Sequence, residues 1–507
     1  MQHLAILPII LPLLTGALLL LPPFSTTLAR QRIFAIASFA VQIVVAALLL
    51  IQTNDQGTTQ YILGNWQAPF GIVLVADSMS TLLVLLCVFL AFCAHLYGCA
   101  GDDKEGAYFH PLFMFQVMGI NGAFLTGDAF NLFVFFEVLL IASYALLIHG
   151  GGKQKTQATM HYVILNLVGS SVFLFGLGIL YGTLGTLNMA DMAAKVSTLD
   201  ESNAILAEIG ASMLLVVFGL KSALLPLQFW LPRTYASASA PVAAIFAIMT
   251  KVGIYSIFRV HIMIFGDHAG ELANMAQAWL WPLALLTICI GTIGAFAAPT
   301  LKLLVANMVV LSAGSLLVCA AMQSEEATGA ALYYLLHSTV ITAGLFLVAD
   351  IISKQRGKAE DRFVRSKALK QPVILGIAFA MGAIGLVGMP PLSGFVGKIL
   401  ILQAAQSTAE MIWVWPIMLI SSLAALISLS RAGTTLFWRH SGGVQDDAPI
   451  ATNIQLIAVF LLMAASPLLV LFGGPIVEIA QHAANGLHDP NQSVFPLLPS
   501  IQTGGAQ

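Results

Sequence analysis

The chain has 507 residues, of which 59% are hydrophobic and only 9% are charged, and its mean hydropathy is +0.91. In soluble proteins about a quarter of all residues are charged, so this composition excludes an ordinary soluble protein and indicates a membrane protein with many spans. The formal net charge is −2, but in a membrane protein the position of each charge along the chain is more informative than the total.

Apolar windows of about 20 residues, the length that crosses a bilayer as a helix, recur along the whole chain. They predict an all-α polytopic membrane protein with about fourteen transmembrane helices. If the N-terminus lies outside, nearly all lysines and arginines between the windows fall on the inner side, so the positive-inside rule places both termini outside. The windows fall near residues 4–22, 31–51, 73–98, 111–127, 129–149, 158–183, 205–231, 239–263, 275–298, 303–322, 328–352, 372–404, 411–437 and 453–474.

Prolines interrupt two of the windows. The seventh contains Pro226 and Pro232, and the twelfth contains the segment GMPPLSG ahead of Lys398. Because a proline inside a helix removes a backbone hydrogen bond and clashes with the preceding turn, helices 7 and 12 are predicted to be broken. Helices 4–8 and 9–13 then form two five-helix repeats. Because each repeat has an odd number of helices, the second begins on the opposite side of the membrane, so the two repeats are inverted. The predicted units are residues 1–110 (helices 1–3), 111–264 (first repeat), 265–440 (second repeat) and 441–507 (helix 14 and the tail).

Glu137 interrupts the fifth window about 13 Å beyond the start of its helix, and so lies at mid-depth. A carboxylate at this depth is costly unless it is protonated or has a cationic partner, and Lys221 or Lys251 could supply one. Two interpretations follow. The pair takes part in proton transfer, or it is a fixed ion pair that only holds helices together.

Lys221 and Lys251 lie inside the seventh and eighth windows. Counted from Pro241, Lys251 lies about 15 Å along its helix, which is half of a ~30 Å hydrocarbon core. A cation at that depth costs at least a few kcal/mol, so an intramembrane lysine indicates a functional site. The alternative is a lysine whose side chain reaches the lipid headgroups. Broken helices such as the seventh line cavities and hold ion sites in transporters.

Two further titratable groups extend this set. His337 lies about 15 Å from the start of the eleventh window, and a neutral imidazole can exchange a proton near neutral pH, although a lone histidine can also serve packing alone. Lys398 again combines a buried lysine with a broken helix. Seven other polar residues could carry bridging waters or simply pack helices: Asn166, Ser170, Ser171, Gln228, Tyr255, Tyr333 and Thr342.

Motifs for other classes of function are missing from the sequence. It has no nucleotide-binding loop, metal cluster or nucleophile motif, which argues against an independent enzyme and predicts neither a cofactor nor a metal site. The five cysteines lie in or beside apolar runs without a CxxC pair and are interpreted as packing residues. Because the connections between windows are short, we expect no soluble domain and no binding of nucleic acid.

Several long motifs carry a family resemblance. The strings GDAFNLFVFFEVLLIASYALL, LKSALLPLQFWLPRTY with MTKVGIYSIFR, YYLLHST and GMPPLSGFVGK resemble the D subunit of Mrp-type (Mnh, Pha) multisubunit monovalent cation/proton antiporters. That family is homologous to the antiporter-like proton-pumping subunits of respiratory complex I. The resemblance extends from GNWQAPFGIVLVADSMS to the thirteenth window. It implies that Glu137 and Lys221 form a glutamate–lysine pair, that Lys251 is the central relay lysine, that His337 bridges, and that Lys398 is the terminal lysine.

Two positions depart from the resemblance. Complex I subunits commonly carry histidines in the break of helix 7 and just after it, whereas this chain has Gln228 and Tyr235. Neither side chain can take up a proton near neutral pH, so we expect water to complete the route there. Lys398, where some relatives have glutamate, favours the D subunit of a Mrp antiporter over a complex I subunit.

The resemblance implies a proton-translocating subunit of a Mrp-type Na⁺/H⁺ antiporter in a bacterial inner membrane. The expected partners are the A, B, C, E, F and G subunits, and protons and monovalent cations, in the first place Na⁺, are the expected substrates. Protons would reach Lys251 from the inside and pass between the Glu137–Lys221 pair and Lys398. Two alternatives stay open: a proton-pumping subunit of a redox-driven complex of the complex I or membrane hydrogenase type, and a non-conducting scaffold subunit.

Overall fold

The computed structural model describes residues 3–68, 70–444 and 448–489, which fold mainly into α-helices. Residues 445–447 and 490–507 of the predicted C-terminal unit lie outside the described residues. The α-helices are α1 Leu7–Leu20, α2 Leu28–Gln56, α3 Ser78–Gly98, α4 Phe109–Leu125, α5 Ala129–Ile148, α6 Lys153–Leu184, α7 Met189–Val196, α8 Glu201–Ser222, α9 Trp230–Ser237, α10 Ala240–Ile257, α11 Gln277–Ala297, α12 Leu301–Met322, α13 Glu325–Arg356, α14 Pro372–Val387, α15 Ser393–Ala404, α16 Thr408–Gly433, α17 Asn453–Leu471 and α18 Gly473–His488.

The helices follow the predicted windows closely. Each window contains one of these helices or a broken pair of them. Eleven helical segments of the described chain are long and apolar enough to cross a membrane, and four shorter apolar helices occupy the remaining windows. The all-α membrane class is therefore confirmed. The count of fourteen spans, the inverted relation of the repeats and the unit boundaries at 110, 264 and 440 stay predictions.

Two short sheets lie between the helices. Strand β1 (Thr59–Ile62) pairs antiparallel with β2 (Val73–Ala76), and β3 (Ser366–Ala368) pairs parallel with β4 (His440–Val444). The start of the third predicted helix at residue 73 was therefore wrong. The helix begins only at Ser78, because the Asp77 side chain accepts a hydrogen bond from the Ser80 amide at 2.8 Å and caps it.

Both predicted breaks are confirmed. In the seventh window α8 ends at Ser222 and α9 begins at Trp230, and in the twelfth α14 ends at Val387 and α15 begins at Ser393. Pro226 lies between α8 and α9, where its missing amide prevents continuation of the helix. Pro232 contributes nothing to the break, because it lies in the first turn of α9, where an amide hydrogen has no acceptor within the helix.

The most buried helices lie at the centre of the bundle. Every residue of α10 is buried, and α12 and α13 are buried along nearly their whole apolar length. Helix α10 packs against α3, α8, α12 and α13, which explains why it is apolar on all sides. By contrast, α6, α11 and α16 expose broad apolar faces. Lys251 and His337 are therefore held in the interior of the molecule.

Candidate functional site

The five predicted titratable residues lie on helices that pack against one another in sequence. Helix α5 packs on α6, α6 on α8, α8 on α10, α10 on α12 and α13, α13 on α15, and α15 on α16. Glu137 lies on α5, Lys221 on α8, Lys251 on α10, His337 on α13 and Lys398 on α15. We call these five residues the titratable row. Its members thus lie on a continuous series of packed helices.

Helix α6 connects the first two members of the row. Lys221 Nζ donates a hydrogen bond to Asn166 Oδ1 at 2.8 Å, and Ser170 Oγ donates one to Glu137 Oε1. Asn166 and Ser170 are four residues apart and therefore share one face of α6. In the described part of the chain, Glu137 forms no direct ion pair with a lysine. The predicted glutamate–lysine pair is therefore bridged by two polar side chains of α6.

Glu137 lies on the outside of the helix bundle and not in its interior. It is half-buried, and it lies on the same stripe of α5 as Phe130, Val134 and Ile141, which are 47%, 39% and 63% exposed. The carboxylate therefore lies on an apolar face at the edge of this subunit. The mid-depth position of Glu137 stays a prediction, and counting along the helix could not give the direction in which the side chain points.

Two lysines of the row lie at the carboxyl end of a half-helix. Lys221 occupies the last turn of α8, two residues before Ala223, whose φ of 62° ends the helix. Lys398 Nζ donates to the carbonyl of Val387, the last residue of α14, at 2.7 Å, and to Ser422 Oγ at 2.8 Å. Helix carboxyl ends carry free carbonyls and partial negative charge. Each break thus provides a local environment that favours a cation.

Lys251, the central lysine, is fully buried, and its Nζ lies 3.4 Å from Ser312 Oγ on α12. In the described residues it has no carboxylate partner. Two buried polar atoms of this region, Thr250 Oγ1 and Gln228 Oε1, have no hydrogen-bond partner among the described protein atoms. Buried polar atoms of this kind are ordinary positions for bound water. Tyr235 donates to the carbonyl of Phe246 at 2.6 Å.

His337 contacts the second break. Its Nδ1 lies 2.7 Å from Ser393 Oγ, the first residue of α15, and Ser393 Oγ lies 2.8 Å from Ser466 Oγ. Gly394 allows this approach, since a Cβ there would lie 2.7 Å from His337 Nε2 and 2.0 Å from the Gly385 carbonyl oxygen. The histidine is therefore packed against the same half-helix that carries Lys398.

Only two of the predicted supporting residues, Asn166 and Ser170, hydrogen-bond to members of the row. Tyr255, Tyr333, Thr342 and Ser171 bond elsewhere: their hydroxyls donate to the carbonyls of Phe124, Leu469, Ser338 and Leu167. Tyr255 also accepts a bond from Arg259, which forms a 2.5 Å ion pair with Asp77. Arg259 is only 4% exposed.

A charged network that sequence reasoning missed lies on the predicted inner side. Asp350 contacts Lys354 at 2.7 Å and Lys302 at 3.3 Å and accepts a hydrogen bond from Tyr97 at 2.9 Å. Asp102 lies 3.9 Å from Lys354. The members come from α3, the α3–α4 connection, α12 and α13, so only the fold brings them together. Burial raises the pKa of Asp102 to about 6, against the opposing charge of Lys354.

A cavity of about 900 Å³ opens on the same side. The amino-terminal part of α6, α9 and the start of α12 form its walls. Trp230 also lines the cavity, and its Nε1 donates to the carbonyl of Leu220 at 3.1 Å, next to Lys221. Its charged and titratable lining consists of His161, Arg233, Lys302, Glu360 and Asp361.

Comparison with known proteins identifies the family. Residues 126–428 match the family model described as "NADH:quinone oxidoreductase/Mrp antiporter, TM". The chain belongs to this family. All five members of the titratable row fall inside the matched segment.

Similar proteins match the chain over nearly its whole length. It is 37% identical to a Rhizobium meliloti protein described as the D subunit of a probable K(+)/H(+) antiporter, covering 97% of this chain and 96% of the relative. It is 36% identical to the D subunit of the Na(+)/H(+) antiporter of Bacillus subtilis, covering 98% and 100%. A chain of the solved Mrp complex from Dietzia shares its fold, with a TM-score of 0.85 at 24% identity, covering 98% and 99%.

Proposed function

We propose that the chain is the proton-translocating D subunit of a Mrp-type monovalent cation/proton antiporter complex of a bacterial cell membrane. The observation that carries the proposal is the titratable row on consecutively packed helices, with a lysine at each helix break. The names of the two relatives support antiport of Na⁺ or K⁺ against protons. The chain then acts as a transporter subunit and not as an independent enzyme.

We place the start of the proton path at the inner cavity, beside Lys221, and not at Lys251 as the resemblance implies. Water in that cavity reaches α9 and Trp230, one hydrogen bond away from the carbonyl beside Lys221. From Lys221 the row leads to Lys251 and across α13 to Lys398. Serine hydroxyls beside three members, Ser170, Ser312 and Ser422, can both donate and accept a proton. The Asn166 amide does not exchange a proton in this way near neutral pH. Its role is to position Lys221 through their hydrogen bond.

The surface position of Glu137 supports a partner subunit. An ionisable side chain within an exposed apolar stripe is expensive against lipid, so such residues normally face protein or a water-filled cavity. We assign the stripe of Phe130, Val134 and Ile141 to a contact with a neighbouring subunit of the complex. The resemblance supplies the A, B, C, E, F and G subunits as the candidates.

Transport in membrane vesicles tests the proposal. The complete antiporter is expressed in cells that lack their own antiporters, and inverted vesicles are assayed for dissipation of a pH gradient on addition of NaCl or KCl. Lys221→Ala and Glu137→Ala should abolish the exchange while the complex still assembles. Glu137→Asp should retain partial activity, because it keeps the charge with a shorter reach. Lys195→Ala removes a lysine that is paired with Asp191 at the surface and should match wild type.

The same assay separates the competing functions. The cation that dissipates the gradient identifies the transported ion. Unchanged exchange in the Lys221→Ala, Lys251→Ala and Lys398→Ala triple variant would overturn the proposal and support the scaffold. A gradient that forms only on supply of an electron donor would instead place the chain in a redox-driven complex.

A further inference from the structure

A second group of buried side chains lies outside the titratable row, where α3 ends and α4 begins. His95, Cys99 and His110 each offer one ligand atom, and these three atoms lie within 4.8 Å of one another. The three residues are 0%, 4% and 1% exposed. We propose that His95, Cys99 and His110 form a three-ligand site for a transition-metal cation of the zinc class, with water as the fourth ligand.

The chemistry of the donors selects the cation. Two imidazoles and one thiolate suit a borderline-soft ion such as Zn²⁺, whereas Mg²⁺ and Ca²⁺ require oxygen ligands. His95 and Cys99 are four residues apart, so they project from the same face of α3, with Nδ1 and Sγ 3.8 Å apart. That contact places the thiol beside the imidazole that also faces His110.

His110 completes the group from the next helix. Its Nδ1 lies 2.8 Å from His95 Nε2, so the two imidazoles form a hydrogen bond with each other. Binding of a metal replaces this hydrogen bond, because the ion holds two ligand nitrogens about 3.3 Å apart. The change requires about half an ångström of movement between the two rings. One ion takes only one nitrogen of His95, so the Cys99 thiol, which lies beside Nδ1, must also turn toward Nε2.

The outer contacts of His110 fit a ligand role. Asp103 Oδ2 lies 3.3 Å from His110 Nε2, and Arg32 holds the same carboxylate through two hydrogen bonds of 2.6 and 2.7 Å. A carboxylate on the distal nitrogen is the usual arrangement that fixes the orientation of a metal-ligating histidine. It leaves Nδ1 directed toward His95 and Cys99. Phe39, Phe109 and Phe113 surround the imidazoles.

The position of the group assigns it a stabilising function. It joins the end of α3 to the start of α4, and Arg32 adds α2 through Asp103. The ion would therefore hold the end of α3 to the first turn of α4, at the predicted boundary between the N-terminal unit and the first repeat. The spacing escaped sequence analysis because His110 follows Cys99 only after a loop and a new helix start, so no short motif contains all three ligands.

Cobalt is the probe, because a thiolate ligand to Co²⁺ gives a charge-transfer absorption band that oxygen ligands do not give. The purified complex that contains the full chain is treated with a chelator and titrated with Co²⁺, and its bound zinc is measured before treatment by mass spectrometry. We expect about one Zn²⁺ or Co²⁺ for each copy of the chain. Cys99→Ser should remove the band, and Asp103→Asn should weaken Co²⁺ binding by about 10- to 100-fold.

Cys93→Ser is the matched control. Cys93 lies on the same helix and is as buried as Cys99, but it lies outside the group, so the band should stay. If Cys99→Ser does not assemble, protection of the Cys99 thiol of the wild-type chain from alkylation by Zn²⁺ replaces it. A wild-type complex without a cobalt band and without zinc protection overturns the proposal. The measurement is of binding alone, so its outcome is independent of the proposed transport function.

Discussion

Substitution of Gly253 by alanine should displace Lys221, a member of the titratable row, by a small distance. A Cβ at this position would lie 2.8 Å from the Ser222 amide nitrogen and 3.0 Å from the carbonyl carbon and Cβ of Lys221. These are mostly backbone atoms, so they cannot rotate away. In Gly253→Ala the contact must open by about 0.6 Å to reach ordinary van der Waals distance, and α10 and the end of α8 must separate by that amount.

The expected effect on transport follows from that displacement. A misplacement of about 1 Å in a proton-transfer or catalytic group can cost about 100-fold in rate, so a shift near half that size should lower antiport about tenfold. Overpacking costs about 1–3 kcal/mol, which exceeds the ~0.5–1 kcal/mol that alanine gains over glycine in a helix. The melting temperature of the purified complex should therefore fall slightly while the complex still assembles.

Gly178→Ala provides the control for helix propensity. Gly178 lies within α6 with no atom within 4 Å of its ideal Cβ, so its substitution adds a methyl group without a clash. Initial rates of gradient dissipation are compared in inverted vesicles that contain equal amounts of complex. If Gly253→Ala transports at the wild-type rate, the packing of α10 on Lys221 does not govern proton transfer and the reasoning is wrong.

Two further predictions test other parts of the site. Asn166→Leu removes the hydrogen-bond acceptor of the buried Lys221 ammonium, a loss of about 1.5–3 kcal/mol, so the rate of antiport should fall at least tenfold. The control is Ser171→Ala on the exposed side of α6, which should have little effect. Equal rates in the two variants would refute a role for Asn166. Asp102→Asn tests the raised pKa of about 6. When the pKa of an acid is higher in the folded than in the unfolded state, the protein loses folding stability as pH rises from about 4 to 6. For Asp102 this loss in the free energy of unfolding is about 3 kcal/mol. The variant should therefore melt higher than wild type at pH 7 to 8 but not near pH 4, and parallel melting curves would contradict this.

The sequence predicted what depends on distance along a helix. Hydropathy located the helices, prolines located both breaks, and counting at 1.5 Å per residue identified Lys251 and His337 as deeply buried. It could not predict what depends on direction around a helix. Glu137 lies at the edge and is connected to Lys221 only through Ser170 and Asn166, and Asn166 had no feature that separated it from an ordinary packing residue.

The missed elements have the same cause. An apolar run of four residues fits a strand as well as a helix, so periodicity alone could not separate β2 from α3, and the cap at Asp77 decided the boundary. The Asp350 network and the Arg259–Asp77 pair join residues far apart in the chain. No local pattern in the sequence connects their members, and only the packing shows that they are buried together.

The two broken helices also show how weakly related sequences can provide the same environment. Lys221 precedes its break, whereas Lys398 follows its break, so the two lysines do not correspond by position along the helix. Yet one occupies the last turn of the first half-helix and the other reaches the final carbonyl of the first half-helix with its Nζ. What the two halves share is a cation at a helix carboxyl end, where free carbonyls and the helix dipole lower the cost of burying it. An alignment of the halves that matches lysine to lysine would therefore misplace one break, whereas one that matches the ends of α8 and α14 would preserve both.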